Sequence, residues 1–157
     1  MAQKAKENFQ IIAQNKKAFF SYEILEKFEA GMVLMGSEVK SLREGRANLK
    51  DSYARIRRSE VFLYGMHISP YFNATINNHE PERIRKLLLH GREIKRLVGK
   101  TQEKGLTLVP LRIYFREGKA KLELGLAKGK TLYDKRDSLK RKQEQRDMAR
   151  IRKNYNK

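Results

Sequence analysis

The stretch from Leu106 to Ala127 constrains the fold more than any other part of the chain. Val109, Leu111, Ile113 and Phe115 fall on one face of an extended segment. Glu117-Gly118 offers a turn, and Ala120, Leu122, Leu124 and Leu126 then share one face, with Lys121 and Glu123 on the other. A period of two over both arms of a turn is a β-hairpin, apolar on one side and polar on the other. Two strands cannot bury such a face alone, so the rest of the chain must supply strands to cover it and to close its edges. Pro110 has no N–H to give to a ladder, which places it at an edge or a bulge.

Further strand patterns are present. Phe20, Tyr22 and Ile24 alternate with polar neighbours, which predicts a strand after a turn at Asn15-Lys16-Lys17. Tyr53 to Arg57 and Val61 to Ile68 read as two strands joined at Arg58-Ser59-Glu60, and Ile84 to Leu89 as a short one. Residues 69–82 hold Pro70 and Pro81 and read as a loop. Two short helices are predicted. SEVKSLREG, 37–45, begins with Ser37 as a candidate cap, and 91–105 places Ile94, Leu97 and Val98 on one stripe before Gly105. About six short strands without βαβ alternation predict a mainly β fold, a small antiparallel barrel with two or three flanking helices.

The pattern stops after Lys128. Residues 128–157 carry 12 Lys/Arg and 4 Asp/Glu, a net +8, while the other 127 residues carry 24 and 14, a net +10. Met148, Ile151 and Tyr155 form the one short apolar stripe of this tail. Such a segment is expected to be disordered alone and helical once its charge is neutralised. The division expected is a mobile N-terminus at 1–8, a β domain at 9–128 and a basic tail at 129–157.

Charge narrows the function. A net +18 over 157 residues makes monomers repel one another and calls for a polyanion: nucleic acid, an anionic membrane or an acidic protein. With no cysteine there is no disulfide frame and no thiolate metal site. MAQKAKENFQ lacks the apolar run of a secretory signal and no 18-residue apolar stretch occurs, so the expected setting is the cytoplasm.

GLAKGKT, 125–131, looks like a phosphate-binding loop. It has three residues between Gly125 and Gly129-Lys130, where such a loop needs four, and it closes a hairpin strand rather than opening an amphipathic helix. Nucleotide hydrolysis is therefore not expected, and Gly129 reads as a flexible exit from the barrel. His67, His79 and His90 have no carboxylates at metal-ligand spacing, so no metal, cofactor or catalytic centre is predicted. Basic residues interleaved with aromatics are the better signal. Lys16 and Lys17 stand beside Phe19, Phe20 and Tyr22, and RIRKLLLHGREIKR sets six cations around an apolar strand. Cations neutralise phosphates and exposed rings stack on unpaired bases.

NKKAFFSYEILEKFEAG, GSEVKSLREG, DSYA, HISPY, RKLLLH, TLVPL and LAKGKTLYDKR, in that order, resemble the SsrA-binding protein (SmpB) family from about Asn15 to the end. The resemblance implies an OB-type β-barrel that binds the tRNA-like domain of transfer-messenger RNA. It implies delivery of that RNA to stalled ribosomes, in contact with elongation factor Tu through the RNA complex. The protein would stand in for the missing anticodon arm in the decoding centre while its tail enters the empty messenger channel. Carried over by motif, the RNA contacts are Asn15, Glu29 and Leu88, with Lys16 and Lys17 beside Asn15 and Lys121 and Lys128 as phosphate contacts. Glu29 either accepts hydrogen bonds from a base or forms a structural ion pair. Leu88 either packs on a base or fills the core. In the tail, Gly129, Lys130, Asp134, Lys135 and Arg136 match the ribosome-acting motif, with Tyr133 where some members have His. The alternative is a general basic ribosomal or single-strand-binding OB protein.

Overall fold

The computed structural model describes residues 9–74, 78–103, 105–130 and 132–155, the last segment with its side chains from 135 onward. The expected mobile segment 1–8 lies outside the described residues, as does Thr131. The elements are β1 (Phe9–Gln14), α1 (Lys16–Ser21), β2 (Tyr22–Met32), α2 (Gly36–Arg43), β3 (Ala47–Asn48), β4 (Tyr53–Arg57), β5 (Glu60–Tyr64), β6 (His67–Ile68), β7 (Arg85–Leu88), α3 (Gly91–Thr101), β8 (Leu106–Arg116), β9 (Lys119–Gly129) and α4 (Leu132–Tyr155).

The fold is mainly β and its large sheet is antiparallel throughout, in the order β1-β8-β4-β5-β7-β2-β9. Because β9 also pairs with β8, a path from β8 through β4, β5, β7 and β2 to β9 returns to its start. The ring satisfies edges that six separate strands would leave open. Its interior holds Phe28, Val61, Leu63, Leu87, Leu122 and Leu124, with Leu97 of α3 fully buried against them.

The β8–β9 hairpin turns at Glu117 and Gly118, both left-handed at φ 51° and 76°, with Arg116 opposite Lys119. Its returning arm follows the expected alternation: Leu122, Leu124 and Leu126 all face the core. Its outgoing arm does not. The register slips between Pro110 and Arg112, so Val109 and Leu111 face a second small cluster with Ala18 and Ala127, while Leu108, Ile113 and Phe115 face the main core. One extra residue at a bulge switches every later side chain to the other face. The proline without an N–H is where the ladder can afford that slip.

Two local expectations are corrected. Asn15-Lys16-Lys17 is not a turn before a strand but the start of helix α1; the Asn15 side-chain oxygen accepts from the Ala18 N–H at 3.2 Å and caps it. Ser37 is not the cap of α2. The chain enters that helix at Met35, whose N–H donates to Glu38 Oε1 at 2.8 Å, and Ser37 is buried on His79 instead. The β4–β5 turn is tighter than expected, two residues, with Arg58 and Ser59 at φ 49° and 60°. Helix α3 ends at Thr101, ahead of Gly105, which turns the chain into β8 at φ 85°.

The tail is one helix of 24 residues, where a segment disordered by itself was expected. At 1.5 Å per residue it is ~36 Å long. Every side chain from Leu139 to Tyr155 is exposed.

Candidate nucleic-acid interface

Three of the residues singled out by motif meet in one cleft. On β2, Gly31 sits opposite Leu88 of β7 on one side and Lys121 of β9 on the other. Glu29, two residues earlier, points the same way, because alternate residues share a face. With His90, the cap residue before α3, and Glu93 of α3 they line a cleft of about 470 Å³. Gly31 is the floor: a Cβ there would lie 3.3 Å from the Leu88 Cβ. Leu88 is 50% exposed, so it does not fill the core. It offers an apolar surface at the cleft mouth.

Glu29 is held by hydrogen bonds rather than left free. Tyr114 donates its hydroxyl at 2.5 Å and Arg116 Nη1 donates at 3.1 Å, both to Oε2. The Tyr114 hydrogen bond holds the carboxyl below its ordinary range against the opposing effect of burial; Arg116 and Lys121 add to it. Burial and the Glu29 carboxylate push the Tyr114 phenol up. The ion-pair alternative for Glu29 is thus realised, yet its Oε1 has no hydrogen bond among those to described residues that fix Oε2. A fixed anionic acceptor, a Lys cation and an apolar lip fit a nucleobase with an amino group next to a phosphate.

The remaining predicted contacts lie elsewhere. Asn15, Lys17, Tyr22, Asp51, Ser52 and Tyr53 line a second cleft of about 250 Å³. The two clefts are seven residues apart along β2, Tyr22 to Glu29, or roughly 23 Å at ~3.3 Å per residue. Asn15 is 6% exposed. Its Nδ2 donates to Pro110 O at 2.9 Å and to Leu49 O at 3.4 Å, so it ties α1 to the bulge of β8. Lys17 is exposed and pairs with Asp51 at 2.7 Å, and that pairing holds the Asp51 carboxyl below its ordinary range. Lys16 is exposed beside it.

Lys128 and Gly129 sit opposite Glu23 and Tyr22, at the second cleft's end of β2. Both Gly125 and Gly129 are therefore strand residues of β9 rather than members of a loop. A Cβ on Gly125 would lie 3.0 Å from Leu111 Cδ1, so any side chain there would press on Leu111. The Lys130 ammonium donates to Phe19 O at 3.3 Å and to Ser138 Oγ at 3.0 Å, joining α1 to the first turns of α4. Lys135 is half-buried and Arg136 exposed. The side chains of Tyr133 and Asp134 lie outside the described residues.

Sequence reasoning missed Tyr114 and Arg116 as the partners of Glu29. The signal was weak but present: on β8 they alternate with the core residues Ile113 and Phe115, which sends them to the outer face. It also missed a buried ion cluster. Glu38, fully enclosed, accepts from Arg83 at 2.5 Å and from Arg85 Nε, while Arg85 also donates to Met66 O at 2.8 Å and to Pro81 O at 3.0 Å. His79 is likewise buried, bonded to Ser37 Oγ at 2.8 Å and Ile68 O at 2.9 Å. Among the described residues no group of three or more metal-binding side chains occurs, and no helix is long and apolar enough to cross a membrane.

Residues 12–154 match the family described as SmpB protein. The SsrA-binding protein of Syntrophobacter fumaroxidans is 69% identical over 147 residues, spanning 94% of this chain and 91% of its own. That of Geobacter sulfurreducens is 59% identical over 139 residues, spanning 88% and 91%. A chain of the solved structure "tmRNA-SmpB: a journey to the center of the bacterial ribosome" superposes with a TM-score of 0.65 at 48% identity, over 81% of this chain and 93% of that one.

Proposed function

The chain belongs to the SmpB family, and from that membership we propose how it works as an adaptor that binds transfer-messenger RNA and takes it to the ribosome. The observation that carries the reading is the cleft in which β2, β7 and β9 bring Glu29, Leu88 and Lys121 together from distant parts of the chain. This cleft grips the RNA: Glu29 accepts from a base amino group, Leu88 packs against the base and Lys121 meets the phosphate. Asn15 acts by positioning, since it is buried, and it sets α1 so that Lys16 and Lys17 stand at the second cleft.

Helix α4 then serves the ribosome. Its nine Lys/Arg against four Asp/Glu, from 132 to 155, give a cationic rod. It lowers its free energy by releasing counterions wherever a dense phosphate lining is open to it. An empty messenger channel is such a place, and a channel already holding RNA is not. Lys130, bonded to α1 and to Ser138, fixes the angle at which the rod leaves the body. Gly129, Lys130, Lys135 and Arg136, with Tyr133 and Asp134, form the segment that meets the decoding centre.

Two measurements test this. In competition binding, transfer-messenger RNA is expected to displace the labelled complex well ahead of bulk tRNA and single-stranded DNA; equal competition would favour a general nucleic-acid binder. Truncation after Lys128 is expected to keep RNA affinity within a few-fold and to abolish peptide tagging on stalled ribosomes. Parallel loss of both activities would reject the division between body and tail.

A further inference from the structure

We propose that the outer face of β4, β5 and β7 is a third RNA-contacting surface, a stacking strip that carries unpaired RNA between the two clefts. The proposal rests on the RNA-binding reading above and goes beyond it in naming the path. The ladders fix the strip. Tyr53 lies opposite Tyr64, Arg55 opposite Phe62, and Phe62 opposite Lys86. Ala54, Val61 and Leu63 alternate with them into the core, so these rings and cations all point outward. Tyr53 and Tyr64 are stacked, centroids 5.4 Å apart with planes 7° from parallel, and Tyr53 is 38% exposed. The Arg55 guanidinium lies 5.2 Å from the Tyr53 ring centre.

Charge and continuity both select RNA as the occupant. Neither Arg55 nor Arg57 has a carboxylate within ion-pair distance among the described residues; Glu60, the one acid on the strip, is taken by Lys86 at 3.1 Å. Two guanidinium groups without a carboxylate partner, beside a pre-stacked pair of rings, add to the self-repulsion of a chain of net charge +18, and they match phosphate and base together. The strip is also joined at both ends. Tyr53 lines the Asn15–Lys17 cleft, and Lys86 is two residues from Leu88, which lines the Glu29–Lys121 cleft. In other RNA-binding folds the aromatics of one sheet together stack about two or three bases.

The test is a titration of full-length chain with in vitro transcribed transfer-messenger RNA over a series of salt concentrations. R55Q/R57Q is expected to reduce the slope of log affinity against log salt by about 1.4, at ~0.7 per lost single-strand phosphate contact. Tyr53→Leu keeps the apolar bulk but removes the ring, and is expected to weaken binding about 5- to 150-fold, one stacked base. Thermal unfolding by circular dichroism checks the fold of each; should Tyr53→Leu unfold, R55Q/R57Q decides alone. An unchanged slope and affinity in folded R55Q/R57Q, with Lys121→Ala still weakening binding, overturns the strip while the adaptor reading stands, and a defect confined to a protein partner does the same. Loss of preference for transfer-messenger RNA over bulk tRNA in the unaltered chain overturns the adaptor reading instead.

Discussion

Helices α3 and α4 are both rich in cations, but they are held in opposite ways. Helix α3 has 11 residues and places Leu97, fully buried, with Ile94 against the ring of strands. Helix α4 has 24 residues and leaves Leu139, Met148, Ile151 and Tyr155 all exposed. Burial of one Leu contributes about 1.5–3 kcal/mol, enough to fix a short helix that would not persist in water alone. Beyond its first turns, which Lys130 ties to α1 through Ser138, the described part of helix α4 shows local support such as the Arg141–Asp137 pair at 3.0 Å and the Gln143–Asp147 bond at 3.0 Å, each worth about 0.2–0.5 kcal/mol. The body is ordered by what it hides, whereas the exposed length of α4 hides no apolar face.

The contrast predicts that the largest stability losses lie in the body. Glu38→Gln leaves Arg85 enclosed without its carboxylate, a loss of about 3–5 kcal/mol in urea unfolding. Burial alone would raise the Glu38 carboxyl; hydrogen bonds from Arg83, the Met35 N–H and Arg85 overcome it and hold the group below its ordinary range. Its folded value is thus depressed, so its contribution is fully present above the ordinary glutamate value and is lost as pH falls through the folded one. Unfolding from pH 6 down to pH 2 should show the unaltered chain losing its advantage over Glu38→Gln below the ordinary glutamate range. A constant gap would mean the cluster does not titrate with folding.

Asn15→Ala comes next. It removes the cap of α1 and two donors to enclosed carbonyls, about 2–3 kcal/mol together. Asn15→Ser restores the cap but not the donors to Pro110 and Leu49, so it should recover part of the stability, and RNA affinity in step with it. Affinity that stays at the Asn15→Ala level while stability recovers would mark a direct contact. Gly125→Ala should cost about 1–3 kcal/mol through the Leu111 side chain. Adding Leu111→Ala makes room for the new methyl, so a double-mutant cycle should return a coupling of about 0.5 kcal/mol or more.

What was legible in the sequence follows the range of the interactions. The β8–β9 and β4–β5 hairpins were legible because a period of two and a turn are local. Helix α1 was not, since its six residues are too few to show a helical period. Phe20, Tyr22 and Ile24 alternate across its boundary with β2. The decisive cap is one side chain, Asn15. The bulge was half legible: Pro110 marked the place, but only the register shows Leu111 leaving the main core for Ala18. Of the site, Glu29, Leu88 and Lys121 were reached through family resemblance. No spacing rule joins them, because the cleft depends on which strands pair. The Glu29–Tyr114 bond, 85 positions apart, was beyond any local signal.

The smallest effect is the one that can break the comparison between helices. Met148→Ala, Ile151→Ala and Tyr155→Ala together should change the free energy of unfolding by no more than about 0.5 kcal/mol, the range of surface substitutions. Alanine is the best helix former, so helical content by circular dichroism should hold or rise. A loss above about 1.5 kcal/mol would require those side chains to be buried in solution, against the body or a second copy. In that case α4 would be ordered as α3 is, by hiding an apolar face. It would then have to be pulled free before entering any phosphate-lined channel, and adding a polyanion would uncover apolar surface instead of simply neutralising the rod.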